Sequence, residues 1–256
     1  MNFSVSYSTN VGTTKANNED SLSYDEAETD EGKILQVTMC DGMGGLDRGE
    51  LASATVVKAF SDWFYEKLPG ILAESDVTGG IKMSWNRLIK TLNNDICEYG
   101  NRQCCQLGST LTVVIFLEDG TFVCAHVGDT RLYRITDSSI DVITDDQTVV
   151  GYKIRNGTLT PEKAKTHPQR NVLLQCVGAT MNVNPEFYEG KAAEGENYML
   201  CSDGFRNELE QKEIFESMKP SAFDGSRGPE IIGGLIDKAM SRGEKDNITS
   251  IVVEIK

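Results

Sequence analysis

Short segments in which apolar residues alternate with polar ones, or run together, recur along this chain. Such segments are typical of β-strands, whose side chains point alternately to two faces. The strongest are Ile34–Cys40, an apolar run, and Ile248–Ile255. The same pattern predicts further strands at Phe3–Tyr7, Ser21–Tyr24, Thr110–Leu117, Thr121–Val127, Arg131–Ile135, Ile140–Ile143 and Tyr198–Ser202.

Two longer segments repeat apolar residues at spacings of three and four, which is the period of an amphipathic helix. They run from Leu51 to Leu68 and from Ile81 to Tyr99. We expect Pro69-Gly70 to end the first helix and Gly79-Gly80 to precede the second. A third helix is predicted over Glu230–Met240. Residues 149 to 180 are less regular, with Thr160-Pro161 as a helix start.

The order of these elements favours an α+β fold over a doubly wound parallel sheet. Asp119-Gly120 separates two predicted strands and is a strong hairpin signal, so those strands pair in antiparallel fashion. The helices follow one another and do not alternate with single strands. No linker, repeat or break in composition divides the sequence, so we expect one domain over residues 1–256.

Charge and composition exclude several classes of function. The chain carries 39 Asp and Glu against 25 Lys and Arg, a formal net charge of −14. Nucleic acid and anionic membranes are bound by clustered cations, so we expect neither partner. Met1–Asn10 lacks a signal-peptide pattern, and no apolar run approaches a membrane span of roughly 18 residues. The seven Cys form no Cys-x-x-Cys pair, so we expect free thiols and a cytoplasmic location.

Acidic residues recur at the ends of the predicted strands. A single Asp-Gly at such a position is usually a turn, but sheets bring strand ends together, and gathered carboxylates repel unless a divalent cation lies among them. With only two His, an oxygen-rich site favours Mg²⁺ or Mn²⁺ over Zn²⁺. Glycine lets the backbone approach closely, so the carbonyl of Gly42 is a candidate ligand. The acids are Glu19, Asp20, Asp41, Asp129, Asp203 and Asp246.

Seven motifs occur in order from about Ser6 to Val253. The motif Asp41–Gly45 is moderately specific, and the others are weak singly but strong as an ordered set. The remaining motifs are Asn18–Ser21, Gly108–Thr110, His126–Arg131, His167–Val172, Cys201–Gly204 and Asp246–Thr249. With this set the chain resembles the metal-dependent (PPM, type 2C) Ser/Thr protein phosphatases in their compact bacterial form.

The resemblance implies a fold and a first metal site. The fold is a four-layer α-β-β-α sandwich of two antiparallel sheets flanked by helix pairs, which agrees with the predicted order of elements. Asp41 is expected to bridge two metal ions, and the Gly42 carbonyl to bind one of them. Asp203 and Asp246 are expected to complete the shell of the first ion. These three aspartates are therefore the predicted catalytic residues.

The resemblance also implies a second ion, Mg²⁺ or Mn²⁺, with waters held by Asp20 and Glu19. Asp129 with Asp203 resembles a weaker third-metal site, whose occupancy stays open. A water activated between two ions attacks phosphorus in line, and the ions offset charge on the phosphoryl oxygens. No covalent phosphoenzyme is needed, so the Cys residues are not expected to be nucleophiles.

The chain departs from the family pattern at three places. Lys15 stands where an Arg commonly binds the substrate phosphate, and Lys lacks the planar fork of a guanidinium. Met43 stands where some relatives carry a His proposed as general acid. A common His is missing from Asp145–Gln147, which adds negative charge near a segment that relatives use to gate the site. We expect that flap at residues 148–180, where it would influence the choice of substrate.

The sequence therefore predicts a monomeric enzyme that hydrolyses phosphoserine and phosphothreonine in phosphoprotein substrates and opposes a cognate Ser/Thr kinase. Two alternatives stay open. One is a pseudophosphatase that binds phosphoproteins without turnover, for which the Lys15 substitution is the only support. The other is a phosphatase for small phosphoesters. The acidic surface as a whole favours protein substrates with basic residues beside the phosphate.

Overall fold

The computed structural model describes residues 1–30, 32–44 and 48–256. Its strands form two antiparallel sheets. The first contains, in spatial order, β1 (Phe3–Asn10), β11 (Ile248–Ile255), β10 (Asn197–Cys201), β7 (Arg131–Ile135) and β8 (Ile140–Val142). The second contains β2 (Asp20–Thr29), β3 (Gly32–Gly44), β5 (Leu111–Phe116), β6 (Thr121–Val127) and β9 (Glu186–Lys191), with β4 (Leu107–Ser109) paired to β3.

Helices cover the outer face of each sheet. On the second sheet they are α1 (Gly49–Glu66), α2 (Leu68–Ile71) and α3 (Val77–Gln103). The segment between β8 and β9 contains α4 (Val149–Arg155) and α5 (Pro161–Ala164), and α6 (Asp203–Arg206), α7 (Gln211–Met218) and α8 (Gly228–Ser241) pack on the first sheet. None of the helices in the described ranges is long and apolar enough to cross a membrane. Gly45, the last residue of the Asp41–Gly45 motif, lies outside those ranges.

Three hydrophobic clusters separate four layers, which confirms the predicted α-β-β-α sandwich. Alternation along β5 shows why: Val113 and Ile115 pack under α1 and α3, whereas Val114 and Phe116 face the other sheet. Between the sheets Phe116 meets Tyr198 edge to face, with ring centroids 4.9 Å apart. A third cluster joins α7 and α8 to the first sheet. The central strands, such as β5, thus bury both faces, as their apolar pattern requires.

The predicted strands and long helices are present, but several boundaries differ. β3 continues four residues beyond Cys40, to Gly44, so Asp41-Gly42 lies within a strand and is not a turn. Pro69-Gly70 falls inside α2, because proline is tolerated in the first turn of a helix. Gly79-Gly80 likewise lies inside α3, since Asp76 caps that helix by accepting a hydrogen bond from the Gly79 N–H at 2.9 Å.

Some short elements lack a readable pattern in the sequence. β9 is an edge strand whose residues are half-buried or exposed, so no apolar run marks it. α7 buries only Ile214 and Met218, and α4 buries only Val150 and Gly151. A helix of seven or eight residues with two buried positions gives too little periodicity for prediction. The predicted start at Thr160-Pro161 is confirmed, because Thr160 caps α5.

Candidate metal centre

The pairing of β2 with β3 sets two of the predicted carboxylates opposite each other. Asp20, the first residue of β2, is the register partner of Asp41 in β3. Directly opposed residues of an antiparallel pair have side chains on the same face of the sheet. The backbone at Asp41 is fixed from the other side, because its N–H donates to Thr110 Oγ1 at 2.8 Å and its carbonyl accepts from the Thr110 N–H at 2.9 Å.

Three further aspartates approach this pair from separate elements. Asp129 lies in the turn between β6 and β7, Asp203 begins α6, and Asp246 precedes β11. Burial, followed by the charges of Asp20, Asp203, Asp129 and Asp246, raises the pKa of Asp41 well above its ordinary value. The structure thus brings together five of the predicted acids, which come from distant parts of the sequence.

Mutual repulsion and burial also act on the other aspartates. Burial is the largest cause that raises the pKa of Asp20 to about 7, and the charges of Asp203 and Asp246 add to it. Burial and the charge of Asp203 raise the pKa of Asp129 to about 7. The pKa of Asp203 is raised in the same way, by burial and then by Asp246, against the opposing charge of Arg206. The centre therefore disfavours its own full ionisation unless cations offset it.

The donors in this centre fit a hard divalent cation. Both carboxylate oxygens of Asp20 are buried and have no hydrogen-bond partner among the residues that the structure describes, and such oxygens are costly unless a cation or donor satisfies them. Carboxylates are the ligands that Mg²⁺ and Mn²⁺ prefer. Across the described residues, no group of three or more His, Cys, Asp or Glu side chains already has the spacing of a metal-ligand set. The individual ligand assignments therefore remain predictions.

Gly42 occupies a place that no other residue fits. A Cβ there would stand 2.3 Å from the Gly49 carbonyl oxygen and 2.6 Å from that of Glu19. The Gly42 N–H donates to the Glu19 carbonyl at 3.0 Å, which joins β3 to the segment before β2. The backbones approach one another closely at Gly42, as expected for a glycine whose carbonyl is a candidate ligand. That the carbonyl binds a metal ion stays a prediction.

Both carboxylate oxygens of Glu19 accept hydrogen bonds from other residues of the protein. Its Oε1 accepts a hydrogen bond from the Gly49 N–H at the start of α1, at 3.1 Å, and its Oε2 accepts from Lys15 Nζ at 3.2 Å. The positive end of a helix favours a carboxylate in this position. In this arrangement Glu19 fixes α1 against β2, and its predicted role in holding metal-bound waters stays a prediction.

Lys15 lies among the predicted ligands as well. Its Nζ is 3.0 Å from Asp246 Oδ1, in addition to the contact with Glu19, and its side chain is 38% exposed. Burial opposes the charge of Lys15, but hydrogen bonds and charges from Asp246 and Glu19 outweigh it and raise its pKa. The ammonium therefore offsets part of the acidic charge and stays close enough to the cleft to meet a phosphate.

A buried network of two arginines was missed by the sequence reasoning. Arg131 donates two hydrogen bonds of 2.7 Å to the carboxylate of Asp146, and Arg206 Nη2 lies 3.5 Å from Asp146 Oδ2. Arg206 Nη2 also lies 3.6 Å from Asp129 Oδ2. The charges of Arg206 and Arg131 overcome the effect of burial and lower the pKa of Asp146 to about 2. Of the negative charge expected near Asp145–Gln147, that of Asp146 is thus neutralised within the protein, whereas Asp145 is exposed.

Asn247 is a second residue whose role appears only in the structure. Its Nδ2 donates to the Val11 carbonyl at 2.9 Å and to the Asn17 carbonyl at 3.1 Å, while its Oδ1 accepts from the Glu19 N–H at 2.8 Å. These bonds attach the loop that carries Lys15 to the strand that follows Asp246. The Asp246-Asn247 pair before an apolar strand was the available signal.

Neither histidine is a free ligand. His126 is buried, and its Nε2 donates to the carbonyls of Gly128 and Asp145 at 3.0 and 3.1 Å while its Nδ1 accepts from Thr112 Oγ1 at 2.9 Å. Both nitrogens are thereby satisfied, so His126 has a structural role in the core. Within residues 148–180, His167 Nδ1 accepts from the Gln169 N–H at 3.1 Å, and His167 Nε2 lies 3.2 Å from Lys153 Nζ.

A cleft of about 1060 Å³ opens beside the carboxylates. Asp203 and Asp246 line it together with Lys15, and residues of α4 and α5 contribute further wall, including Ile154 and Pro161. The predicted acids therefore border a space large enough for a peptide segment, and part of its wall comes from residues 148–180.

Comparison with known proteins identifies relatives over nearly all of the chain. The family model described as Protein phosphatase 2C matches residues 12–230. The chain is 28% identical over 247 residues to the serine/threonine protein phosphatase PstP of Mycobacterium tuberculosis, which covers 95% of this chain. It spans 43% of the length of PstP. It is also 29% identical over 220 residues to the serine/threonine phosphatase Stp of Listeria monocytogenes, covering 85% of this chain and 83% of that protein.

Solved structures give the same relationship. The Streptococcus agalactiae serine/threonine phosphatase superposes with a TM-score of 0.84 at 28% identity and covers 100% of both chains. The catalytic domain of PstP in complex with two manganese ions superposes with a TM-score of 0.78 at 25% identity, again over 100% of both chains. Since the family model matches most of the sequence and the fold agrees, the chain belongs to the protein phosphatase 2C family.

Proposed function

We propose that this chain is a metal-dependent phosphatase that hydrolyses phosphoserine and phosphothreonine in proteins. The observation that carries the proposal is the convergence of five aspartates beside the cleft, with both oxygens of Asp20 buried and without a hydrogen-bond partner in the described part of the chain. Membership of the protein phosphatase 2C family, and relatives named serine/threonine phosphatases, support the reaction.

The residues proposed to hold two Mg²⁺ or Mn²⁺ ions are those predicted from the sequence. Asp41 stands at the centre of the electrostatic interactions, which suits a ligand shared between ions. A relative, the PstP catalytic domain, is known in complex with two manganese ions. The ions would supply an activated water and would offset the charge of the phosphoryl oxygens. The proposed ligands are Glu19, Asp20, Asp41, Gly42, Asp203 and Asp246, with Asp129 and Asp203 as the candidates for a third ion.

Protein side chains have defined parts in this mechanism. Lys15 places an ammonium at the edge of the cleft, where it can bind a phosphate oxygen as a point charge. Arg206 lies against Asp129, where its fixed guanidinium competes with any third cation. Asn247 holds the loop of Lys15 in register with Asp246. The protein thus orients the phosphate and limits the charge that bound ions must neutralise.

The biological setting belongs to the same proposal. We infer that the enzyme reverses the action of a Ser/Thr kinase, that it acts in the cytoplasm as one domain, and that it functions as a monomer. Phosphoprotein substrates follow from the relatives named protein phosphatases. A cleft of about 1060 Å³ that is open to a peptide supports this choice over a small phosphoester.

Isosteric substitution of the central ligands tests the function. In Asp41→Asn and Asp203→Asn the charge is lost but the shape is kept, so Mn²⁺-dependent phosphate release from a phosphothreonine peptide should fall by at least about a hundredfold, as for removal of one essential electrostatic group. Asp95→Asn, on an exposed position of α3, is the matched control and should retain full activity. Excess chelator should abolish the activity of the unmodified protein. Full turnover by Asp41→Asn would refute the proposed mechanism.

One observation favours the pseudophosphatase alternative, namely that Lys15 contacts two of the proposed ligands. Titration calorimetry with Mn²⁺ separates the two functions, because an enzyme of this kind needs metal bound in the micromolar range. Micromolar binding with turnover supports the phosphatase. Failure to bind Mn²⁺, together with binding of phosphopeptide, would establish the binding module instead.

A further inference from the structure

Positive charge is concentrated in one segment of this acidic chain. Residues 149–170, which we call the basic segment, carry five cations and a single acid, Glu162. In the chain as a whole acidic residues exceed basic ones by 14. The five cations are Lys153, Arg155, Lys163, Lys165 and Arg170.

These cations are not neutralised by the protein itself. Across the described ranges none of the five forms an ion pair, whereas many other Lys and Arg side chains are paired with carboxylates. Arg155, Lys163, Lys165 and Arg170 are exposed to solvent. Lys153 is half-buried; its Nζ lies 3.2 Å from His167 Nε2, and among the described residues it pairs with no carboxylate. The segment therefore presents uncompensated positive charge.

The basic segment is held in a fixed position beside the carboxylates. The Val149 N–H donates to the Val172 carbonyl at 2.9 Å, and Thr148 forms a β-bridge with Leu173, so the ends of the segment meet. Arg155 Nη1 donates to the Asp146 carbonyl at 2.8 Å. That bond links the segment directly to the arginine network that contacts Asp129.

The same segment forms a wall of the catalytic cleft. Lys165 and Arg170 line the cleft that Asp203 and Asp246 also line. A peptide whose phosphate reaches these aspartates must carry its neighbouring residues through that cleft. The side chains beside the phosphorylated residue will then lie within a Debye length, about 8 Å at physiological salt, of at least some of these cations.

We propose that the basic segment is a docking surface that selects phosphoprotein segments with acidic residues beside the phosphorylated residue. This inference rests on the proposed phosphatase function and adds the substrate class. It runs opposite to the expectation from net charge, because cations of the basic segment line the cleft and lie closer to the bound peptide than the distant surface does, although Glu208 and Glu244 line the cleft as well. Exposed charges of this kind change KM, association rate and salt dependence more than they change the chemical step.

Charge reversal within the segment tests the proposal. The experiment measures the hydrolysis of three phosphothreonine peptides, with acidic, neutral or basic flanks. Each peptide is tested with the unmodified protein and with two double variants, Lys163→Glu/Lys165→Glu and Arg87→Glu/Lys90→Glu. The last variant makes the same change in net charge on exposed positions of α3. The readout is the ratio of kcat/KM for the acidic peptide to kcat/KM for the basic peptide, so any general loss of activity cancels.

The unmodified protein should prefer the acidic peptide by about tenfold or more, mainly through KM, and 0.5 M salt should reduce the preference. Lys163→Glu/Lys165→Glu should abolish or invert the ratio, whereas Arg87→Glu/Lys90→Glu should leave it unchanged. Equal use of the three peptides, or equal loss of preference in both variants, would overturn the docking surface.

Failure of the proposed function would look different. p-Nitrophenyl phosphate has no flanking residues, so its Mn²⁺-dependent hydrolysis reports on the metal centre alone. Loss of that hydrolysis contradicts the phosphatase function, while its presence without peptide preference contradicts only the docking surface. Binding of the same peptides, labelled with a fluorophore and followed by anisotropy, tests the surface even where no phosphate is released, and equal affinities would again overturn it.

Discussion

A carboxylate that is buried without a donor costs free energy, and Asp20 has two such oxygens. Its register partner Asp41 is surrounded by four other carboxylates. Neither residue contributes to stability in this form, since each raises the pKa of its neighbours and resists ionisation. The free energy lost here is what a bound cation would recover, which supports the proposal that the cluster binds metal.

Lys15, which stands where the family commonly has an Arg, lies in contact with proposed ligands of the metal centre. Its ammonium contacts Glu19 and Asp246, so it shares its carboxylate partners with any bound cation. In Lys15→Met that competition is removed. We expect Mn²⁺ to bind severalfold more tightly, as measured by titration calorimetry, while the KM for a phosphopeptide rises because the phosphate loses a cation.

The matched control for Lys15 is Lys245→Met. Lys245 also lines the cleft, but across the described residues it forms no ion pair with a carboxylate. Removing its charge should therefore change Mn²⁺ affinity much less than removing that of Lys15. Equal changes in the two variants would mean that only the general electrostatic field matters, and that the contacts of Lys15 do not.

Among the helices and strands, the geometry of the metal centre depends on how closely α6 approaches the loop before β11. α6 starts next to the loop before β11, and a Cβ at Gly204 would stand 2.2 Å from the Asn247 carbonyl oxygen. This contact is what allows Asp203, at the first position of α6, to lie near Asp246. Gly42 and Gly204, which follow Asp41 and Asp203, thus allow the segments that carry the proposed ligands to pack closely against each other.

Gly204→Ala should separate these two segments. We expect weaker Mn²⁺ binding and lower stability, by roughly 1 to 3 kcal/mol as for an overpacked position. Gly234→Ala is the control, since Gly234 is in the interior of α8 with no atom within 4 Å of the added Cβ. That change should raise stability by up to about 1 kcal/mol. Calorimetric Mn²⁺ titration and thermal melting measure both effects, and unchanged Mn²⁺ affinity in Gly204→Ala would contradict the packing role.

How well an element could be predicted depended on its length and burial. β3 and β11 are long and buried, and α3 has seven turns with a clear apolar stripe, so their patterns were unambiguous. β9 lies at a sheet edge and shows no such pattern. The strand end at Cys40 was misplaced because Asp41 is an unfavourable strand residue, which tertiary pairing with Asp20 on one side and hydrogen bonds with Thr110 on the other keep in extended conformation.

For the whole molecule, the sequence identified the acids of the centre but not what surrounds them. Asp20, Asp41, Asp129 and Asp203 could be found because each adjoins a strand with a readable pattern. The contacts of Arg206 with Asp129 and Asp146 could not, since they depend on the packing of α6 against the turn between β6 and β7. Such contacts arise from tertiary geometry, which a local pattern does not encode.

Because repulsion in the centre is collective, it should appear in the stability of the whole protein. The pKa values of Asp20 and Asp129 are raised to about 7 in the folded state, from about 3.9 for an unfolded Asp. A raised pKa means that the folded state holds the proton more tightly, so the contribution to stability is full below pH 4 and is lost as the pH rises through 7. Asp146 has a lowered pKa, and its contribution is lost only in strong acid.

The metal-free protein should therefore melt at a lower temperature at pH 8 than at pH 5. A loss of about 2 kcal/mol would lower the melting temperature by roughly 4 to 8 °C in a chain of this size. Scanning calorimetry in chelator across this pH range measures the effect. Asp41→Asn removes the most strongly affected charge, so its slope should be shallower, and saturating Mn²⁺ should abolish the slope in the unmodified protein. His126 acts in the opposite sense, because burial lowers its pKa and its contribution to stability grows as the pH rises toward 6.5. The comparison of slopes isolates the carboxylates, so a slope in Asp41→Asn as steep as that of the unmodified protein would contradict their mutual repulsion.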